Sequence, residues 1–514
     1  MRRLLALISL VVVVVAACGS GGDETGATTP PGVGGSRGVT QGGPQDIALF
    51  RQIVSEGGVP APETLDPVGF FAEHALDLPA ADCGEDVCVH PLLAVAPRFD
   101  GSNWTMAYVG LNSAVDPATL ARPPLHLVVA LERTSRTQDI YSAAELGLRV
   151  MASRMRAEDR LSILVFGHSA VPLLTLSLPD PAAIDAALLA GRDVAFADAS
   201  ALYDAIATAG QLARDSVFDG ESRILLLTSG HADTGITDVE RVVGLAAAWA
   251  RESIAINVIG GGSEYDPEIP SRIGDLGVGT YTYAESAVDL DRILRFEGDT
   301  TMFPLATDFR LNIQAATGYR VGRIYGARRA SATNRGATLE SPALFLGHRT
   351  GSTDVGGGRR GGGGGLFVEL IAEEGALSLG AGQPAFTMSA TWLSGTGAPV
   401  RHDQAQINSL PPGQNPASMW AEVSDPAHQQ GFMMLNMYLA LRAAVEFHQA
   451  GDCARALGVI DMVAPTVERW LAEWDNPDII ADFELLMRLR ANIEAACQTQ
   501  PVQPQFFSGS CMYS

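Results

Sequence analysis

Leu125-His126-Leu127-Val128-Val129-Ala130-Leu131-Glu132 is the stretch on which the fold turns. Side chains alternate across a strand with a period of two, and this run is apolar at almost every position, so it suits a strand buried on both faces. Such strands belong to sheets covered by helices on either side. Runs of the same kind recur at Leu161–Phe166, Val171–Leu176, Ile224–Thr228, Ile254–Ile259 and Thr280–Tyr283. Between them Ile140, Ala144, Leu148, Met151 and Met155, and later Val239, Val243 and Ala247, keep helical spacing. Strands alternating with helices predict an α/β unit over residues 121–300, built as a doubly wound, mostly parallel sheet. Ligands of such sheets sit outside the carboxyl ends of the strands, which directs attention to the residues after Leu131 and Thr228.

On the N-terminal side, residues 46–120 read as a unit of their own. Ile47, Leu49, Phe50, Ile53 and Val54 have helical spacing, Phe70 and Phe71 follow, and a strand is expected over Trp104–Leu111. After the α/β unit, residues 301–424 switch to a period of two in Phe309-Leu311-Ile313, Tyr319-Val321 and Phe386-Met388-Ala390-Trp392. That pattern predicts an antiparallel β unit. The run Gly356–Gly365 interrupts it with two arginines. It lacks the lysine and the strand-then-helix context of a phosphate cradle, so a loose surface loop is expected there. Residues 425–500 carry three apolar stripes and predict a helical bundle, with Met434 and Met437 in its core, followed by a tail at 501–514.

The chain has 514 residues, with 58 acidic and 35 basic side chains and a net charge of −23; every basic residue is arginine. Without lysine there is no Schiff base, no lysine general base and no P-loop lysine. The acidic balance excludes nucleic acid as the expected partner. Arg2 and Arg3 precede an apolar run of signal-peptide length that ends in Val15-Ala16-Ala17-Cys18. This resembles a bacterial lipobox, which implies that 1–17 is a lipoprotein signal peptide and that Cys18 is acylated, with palmitate among its chains. Gly19 after the cysteine resembles lipoproteins sorted to the outer membrane. The expected location is therefore the bacterial cell envelope, lipid-anchored, at the outer membrane rather than the inner, with 18–45 as a flexible tether. Export permits disulfides. Cys83 and Cys88 lie close in sequence, and Cys453 and Cys497 lie on two predicted helices of one unit, so these pairs are expected. Zinc at Cys83, Cys88 and His90 is the alternative, and it lacks an evident fourth ligand.

Leu127–Glu132, Asp159-Arg160-Leu161-Ser162-Ile163, Ser200-Ala201-Leu202-Tyr203-Asp204-Ala205-Ile206 and Arg223–Gly230 together resemble a von Willebrand factor type A domain. Phe50–Phe71, containing Gly57-Gly58-Val59-Pro60, resembles the short N-terminal motif of a bacterial subgroup of that family, and the β and helical regions resemble its C-terminal extension. The resemblance implies protein–protein interaction or assembly through a metal-ion-dependent adhesion site, and no enzymatic activity. In that site one loop supplies an aspartate and two serines, a second a threonine and a third an aspartate, which suits the oxygen octahedron of Mg²⁺.

The matching positions here are Glu132, Thr134, Arg136, Ser200 and Ser229. One carboxylate is a methylene longer, one is lost, and a permanent cation replaces a ligand. Two unit cations about 4 Å apart repel by about 4 kcal/mol at an effective dielectric near 20. No cofactor is therefore expected, with Mg²⁺ disfavoured. Two readings of Arg136 stand side by side: it stands in for the metal, pairing with Glu132 and offering its other edge to a carboxylate on a protein partner, or it points into solvent from a loop that has lost its function. Two alternatives remain. One is a true divalent-metal module with unusual ligands, Glu132 or Asp233. The other is a cryptic serine hydrolase using Ser169 of Gly167-His168-Ser169, with His231 or another distant histidine as its partner and no spacing to single one out.

Overall fold

A computed structural model describes residues 36–97, 103–117, 120–214, 218–298, 302–347, 359–373, 384–408 and 426–499. The segment 1–17, Cys18, Cys511 and the tail lie outside the described residues. The described chain opens with β1 (Arg37–Gln41) and β2 (Gly43–Pro44), adjacent strands that join different sheets. Helices α1 (Ala48–Ser55) and α2 (Pro67–Ala72) follow, then the antiparallel pair β3 (Cys88–Pro97) and β4 (Asn103–Ser113).

The α/β unit runs β5 (Leu125–Glu132), α3 (Tyr141–Ala152), β6 (Arg160–Phe166), β7 (Ala170–Ser177), α4 (Pro181–Arg192) and α5 (Leu202–Arg214). It continues through β8 (Glu221–Thr228), α6 (Val239–Arg251), β9 (Ala255–Gly261), α7 (Glu268–Gly274), β10 (Thr280–Ala284) and α8 (Ala287–Arg292). Its seven-stranded sheet has the order β2-β10-β9-β8-β5-β6-β7, parallel throughout except for β7, which turns back on β6. All of β5 is buried. Leu127, Val129 and Leu131 pack with Leu148, Ile184 and Leu290 of α3, α4 and α8. Val128 and Ala130 pack with Ile206, Val242 and Ile269 of α5, α6 and α7. The sheet is thus doubly wound, and each buried Val or Leu contributes roughly 1.5–3 kcal/mol of transfer free energy.

The second sheet is antiparallel and has ten strands. It adds β11 (Pro304–Ala315), β12 (Tyr319–Tyr325), β13 (Arg329–Ala332), β14 (Gly336–Leu346), β15 (Gly365–Ala372), β16 (Pro384–Ser394) and β17 (Pro399–Asn408) to strands from before the α/β unit. Its order is β12-β15-β4-β1-β14-β11-β16-β17, with β3 on β4 and β13 on β14. The helices α9 (Pro426–Gln449), α10 (Cys453–Leu471) and α11 (Pro477–Thr499) close the chain. Met433, Met434 and Met437 are fully buried in one core with Phe50, Phe70 and Phe71 of the first two helices. Both expected disulfides, Cys83–Cys88 and Cys453–Cys497, are formed, which removes the zinc alternative.

Three expectations are corrected. The tether does not extend to residue 45, because residues 37–44 are strands. Val39 and Thr40 are buried there, and the pairing partners lie at 112–113, 280–281 and 344–346, too distant for local composition to reveal. Residues 46–120 do not form a separate unit, since β3 and β4 belong to the antiparallel sheet and the α/β unit is inserted between its halves. The described part of the glycine run, 359–365, is packed backbone rather than a loose loop. A Cβ on Gly362 would fall 2.1 Å from the His74 carbonyl carbon, and Gly363, at φ +99°, lies against Gly38.

That packing carries two arginines into the interior, where Arg359 is 2% and Arg360 1% exposed. Arg360 donates to Asp46 (2.9 Å), Asp289 (2.9 Å) and Glu297 (3.0 Å). Arg359 pairs with Asp482 and Glu73, and Asp482 also accepts from Arg51 (2.9 Å) and meets His74 Nε2 at 2.7 Å. The two guanidiniums therefore join the α/β unit, the N-terminal helices and the helical bundle.

Candidate functional site

The carboxyl ends of β5 and β8 bring the predicted positions together. Glu132 is the last residue of β5, and Thr228 the last of β8. The two strands are in parallel register with Leu131 opposite Leu227, which sets their ends side by side. Glu132 is fully buried, and its carboxylate accepts four hydrogen bonds. Thr134 Oγ1 (2.7 Å) and Ser229 Oγ (2.7 Å) donate to Oε1; Thr228 Oγ1 (2.6 Å) and the Ser229 backbone N–H (2.9 Å) donate to Oε2. An ionised carboxylate offers about four lone-pair sites, and four donors fill them. The extra methylene of Glu132 thus reaches a knot of hydroxyls. Thr228 was not singled out from sequence, although its place at a strand's carboxyl end was the available signal.

Arg136 does not pair with Glu132, which corrects that expectation. It follows β5 in the short turn Ser135–Thr137, and its Nη1 donates to Asp233 Oδ2 at 2.7 Å. The Arg136 carbonyl accepts from Ser263 N–H (2.8 Å), and Gly262, at φ +95°, leaves no room for a Cβ beside it. This backbone contact aims the guanidinium across the mouth toward Asp233. The Arg136 side chain is 19% exposed and that of Asp233 28%; Glu264, 80% exposed, lies 3.6 Å from Arg136 Nε. Burial works to raise the Asp233 carboxyl, yet Arg136 and the Ser200 N–H at 2.9 Å hold it below its usual range.

Ser200 enters the site through its backbone, since its carbonyl accepts from Asp233 N–H at 2.8 Å. Its own Oγ is buried and has no hydrogen-bond partner among the described residues. Glu132, Thr134, Ser229 and Thr228 thus form one cluster, and Arg136, Asp233 and Ser200 a second beside it. A cation bound at Glu132 would have to displace donors that already fill its lone pairs, so this donor set does not fit Mg²⁺ as it stands. Among the described residues no group of three or more His, Cys, Asp or Glu side chains is placed to hold a metal.

Ser169 lies in the turn joining β6 to the antiparallel β7, not on the strand-to-helix elbow a nucleophilic serine uses. The neighbouring His168 faces Asp198 at 2.9 Å, and His231 Nε2 meets the Glu264 carbonyl. The hydrolase pairing of Ser169 with His231 therefore has no support in the geometry.

Comparison with solved structures matches this architecture to a von Willebrand factor type A protein from Catenulispora acidiphila, with a TM-score of 0.52 and 14% identity over 76% of this chain and 88% of that one. The fold is the von Willebrand factor A fold. The ArnB paralog VWA2 from Sulfolobus acidocaldarius aligns over 79% of this chain and 98% of its own, with 13% identity and a TM-score of 0.39. In sequence, the chain is 26% identical over 173 residues to "Uncharacterized protein YfbK" of Escherichia coli (strain K12), spanning 32% of this chain and 29% of that relative's length. No family model matches the chain.

Proposed function

We propose that this von Willebrand factor A unit grips a protein partner at the envelope without a metal ion, and that acylated Cys18 anchors it to the outer membrane. The saturated carboxylate of Glu132 carries the reading, because it leaves the Arg136 guanidinium to act as the cation at the mouth. Asp233 holds one side of that guanidinium, while its Nε edge faces exposed Glu264 across 3.6 Å. A partner carboxylate that takes the place of Glu264 there would complete a charge-assisted pair with a pre-aimed guanidinium.

Two measurements test this reading. Membrane-purified protein used as bait should retain its co-purifying partner in chelator, and Arg136→Ala should lose it while Arg136→Lys recovers only part. Retention by Arg136→Ala would end the proposal. Metabolic labelling with a fatty acid should mark the wild type and not Cys18→Ser, which tests the anchor separately. The partnerless Ser200 Oγ favours a second reading, a divalent ion with unusual ligands. Stoichiometric heat of Mg²⁺ or Mn²⁺ binding in titration calorimetry, lost in Ser200→Ala, would establish that reading instead.

A further inference from the structure

At the opposite end of the α/β sheet, where β5 begins, lies a cavity of about 490 Å³ between the α/β unit and the antiparallel sheet. Four arginines line it, Arg37, Arg122, Arg154 and Arg156, and Asp116 is the acidic residue among its lining residues. Its apolar lining includes Leu120, Leu127, Met155 and Phe303. In a chain of net charge −23 this is an unusual concentration of positive charge.

The four arginines are not equally committed. Arg122 is held by Asp159 in a bidentate pair (2.8 and 2.7 Å) and lies over the Phe303 ring. Arg156 donates to the Leu120 carbonyl (2.7 Å), and among the described residues its side chain has no carboxylate partner and Arg37 makes no side-chain hydrogen bond or ion pair. Beside the cavity, Arg223 is paired in register with Leu127. It is 7% exposed, with Nε and Nη1 lacking hydrogen-bond partners among the described residues and Glu221 at 3.6 Å from Nη2. Arginine stays charged at every working pH and suits bidentate phosphate geometry. The volume falls in the range of small-ligand sites, and the mixed lining suits a head that is anionic and a body that is not.

The chain's own layout indicates where such a ligand comes from. Arg37 lies nineteen residues after Cys18. Nineteen residues of random coil have a root-mean-square span of about 24 Å. An acyl group on Cys18 would therefore keep the cavity close to the bilayer. The Glu132 end of β5 lies seven residues farther along the strand, about 23 Å away at roughly 3.3 Å per residue.

We propose that this cavity binds the phosphate headgroup of an anionic phospholipid through Arg37 and Arg156, seating the anchored protein on its membrane with the partner-binding mouth facing outward. The choice of lipid as the source of the phosphate rests on the anchored reading; the anion affinity does not.

The test uses the exported chain without residues 1–18, so that flotation reports the cavity and neither the apolar signal segment nor the anchor. At low ionic strength it should float at least ten-fold more with phosphatidylglycerol vesicles than with phosphatidylcholine vesicles. Arg37→Gln should cut that difference several-fold and Arg37→Gln/Arg156→Gln should abolish it. Arg37 has no partner to lose among the described residues, so its variant keeps the test valid if the double variant folds poorly. Equal flotation on the two lipids, or an unchanged Arg37→Gln, overturns the site. Full displacement by inorganic phosphate at the vesicles' phosphate concentration overturns the lipid source and assigns the cavity to a soluble phosphate. Loss of acyl labelling alone, with flotation intact, removes the anchor and leaves this site standing.

Discussion

Arginine meets carboxylate at two places in this molecule, and the two behave differently. At the mouth of the parallel sheet, Arg136 and Asp233 pair while both remain partly in water. Between the units, Arg359 and Arg360 meet six carboxylates that are almost wholly removed from it. In the first setting the solvent screens the pair and either partner can exchange. In the second, each charge depends on its partner for its place in the interior. Motif position drew attention to Arg136, whereas burial makes Arg360 the arginine on which the architecture depends.

Replacing Arg360 with methionine is therefore expected to have the largest effect. It keeps an apolar stem but leaves Asp46, Asp289 and Glu297 buried without their shared donor. Breaking a buried pair costs about 3–5 kcal/mol, and three carboxylates share this one guanidinium. Urea unfolding should show at least that loss. A loss below about 1 kcal/mol would erase the contrast between the two places.

The same cluster sets a pH dependence. Desolvation pushes the Asp46 carboxyl up to about 7, more than Arg360 offsets, so the folded state holds a proton that the unfolded chain releases near 3.8. The native form then binds more protons between those values. Asp46's contribution is fully present below about pH 3.8 and is lost as pH rises through about 7. Asp482 has the opposite sign. Burial acts to raise it, but Arg359, His74 and Arg51 hold it well below its ordinary range, so its contribution is present above about 3.8 and fades in acid. Asp46→Asn should thus gain stability on the order of a few kcal/mol at about pH 8 and nearly nothing at about pH 4. Paired unfolding curves across that range check the sign, and a gain at the acid end would reverse the argument.

How much of this could be read from residue order follows the same division. Leu125–Leu131 was legible because a strand buried on both faces leaves no polar alternation, and the neighbouring runs repeat that signal. Residues 37–44 were not, because their partners lie up to roughly 300 positions away and glycine at 38 and 43 conceals a strand. Arg359 and Arg360 sit in a glycine-rich run whose composition suggests solvent, yet those glycines are required by backbone approaching within contact distance. At the mouth, Glu132 was legible as a position. Its four donors, and the pairing of Arg136 with a residue 97 positions on, depended on the three-dimensional register.

Glu132 lies between the extremes, since it is fully buried but satisfied by neutral donors. Glu132→Ala should cost about 2–4 kcal/mol, because it orphans the Ser229 N–H and three hydroxyls, and each unsatisfied buried group costs about 1–3 kcal/mol before the hydroxyls rotate to other acceptors. Glu132→Gln should cost about half as much, since the amide oxygen still accepts while its NH₂ meets hydroxyls able to turn their own lone pairs toward it. Chemical unfolding of the two variants separates them. Equal losses would mean that the filled lone pairs are not what stabilises the mouth.

The smallest effect on stability should come from Arg136→Ala. Its pair with Asp233 is open to solvent, and exposed ion pairs contribute about 0.2–1 kcal/mol. Asp233 keeps the Ser200 N–H as a donor, so its carboxylate is not stranded. The part of the loss that comes from the ion pair should shrink further in about 1 M salt, where the Debye length falls to about 3 Å, whereas the Arg360→Met loss should persist because its carboxylates lie beyond the reach of counterions. Thermal unfolding of both variants at low and high salt measures this. If salt diminished the Arg360→Met loss as well, the inner cluster would be as wet as the mouth, and the distinction between a replaceable surface grip and an interior tie would fail.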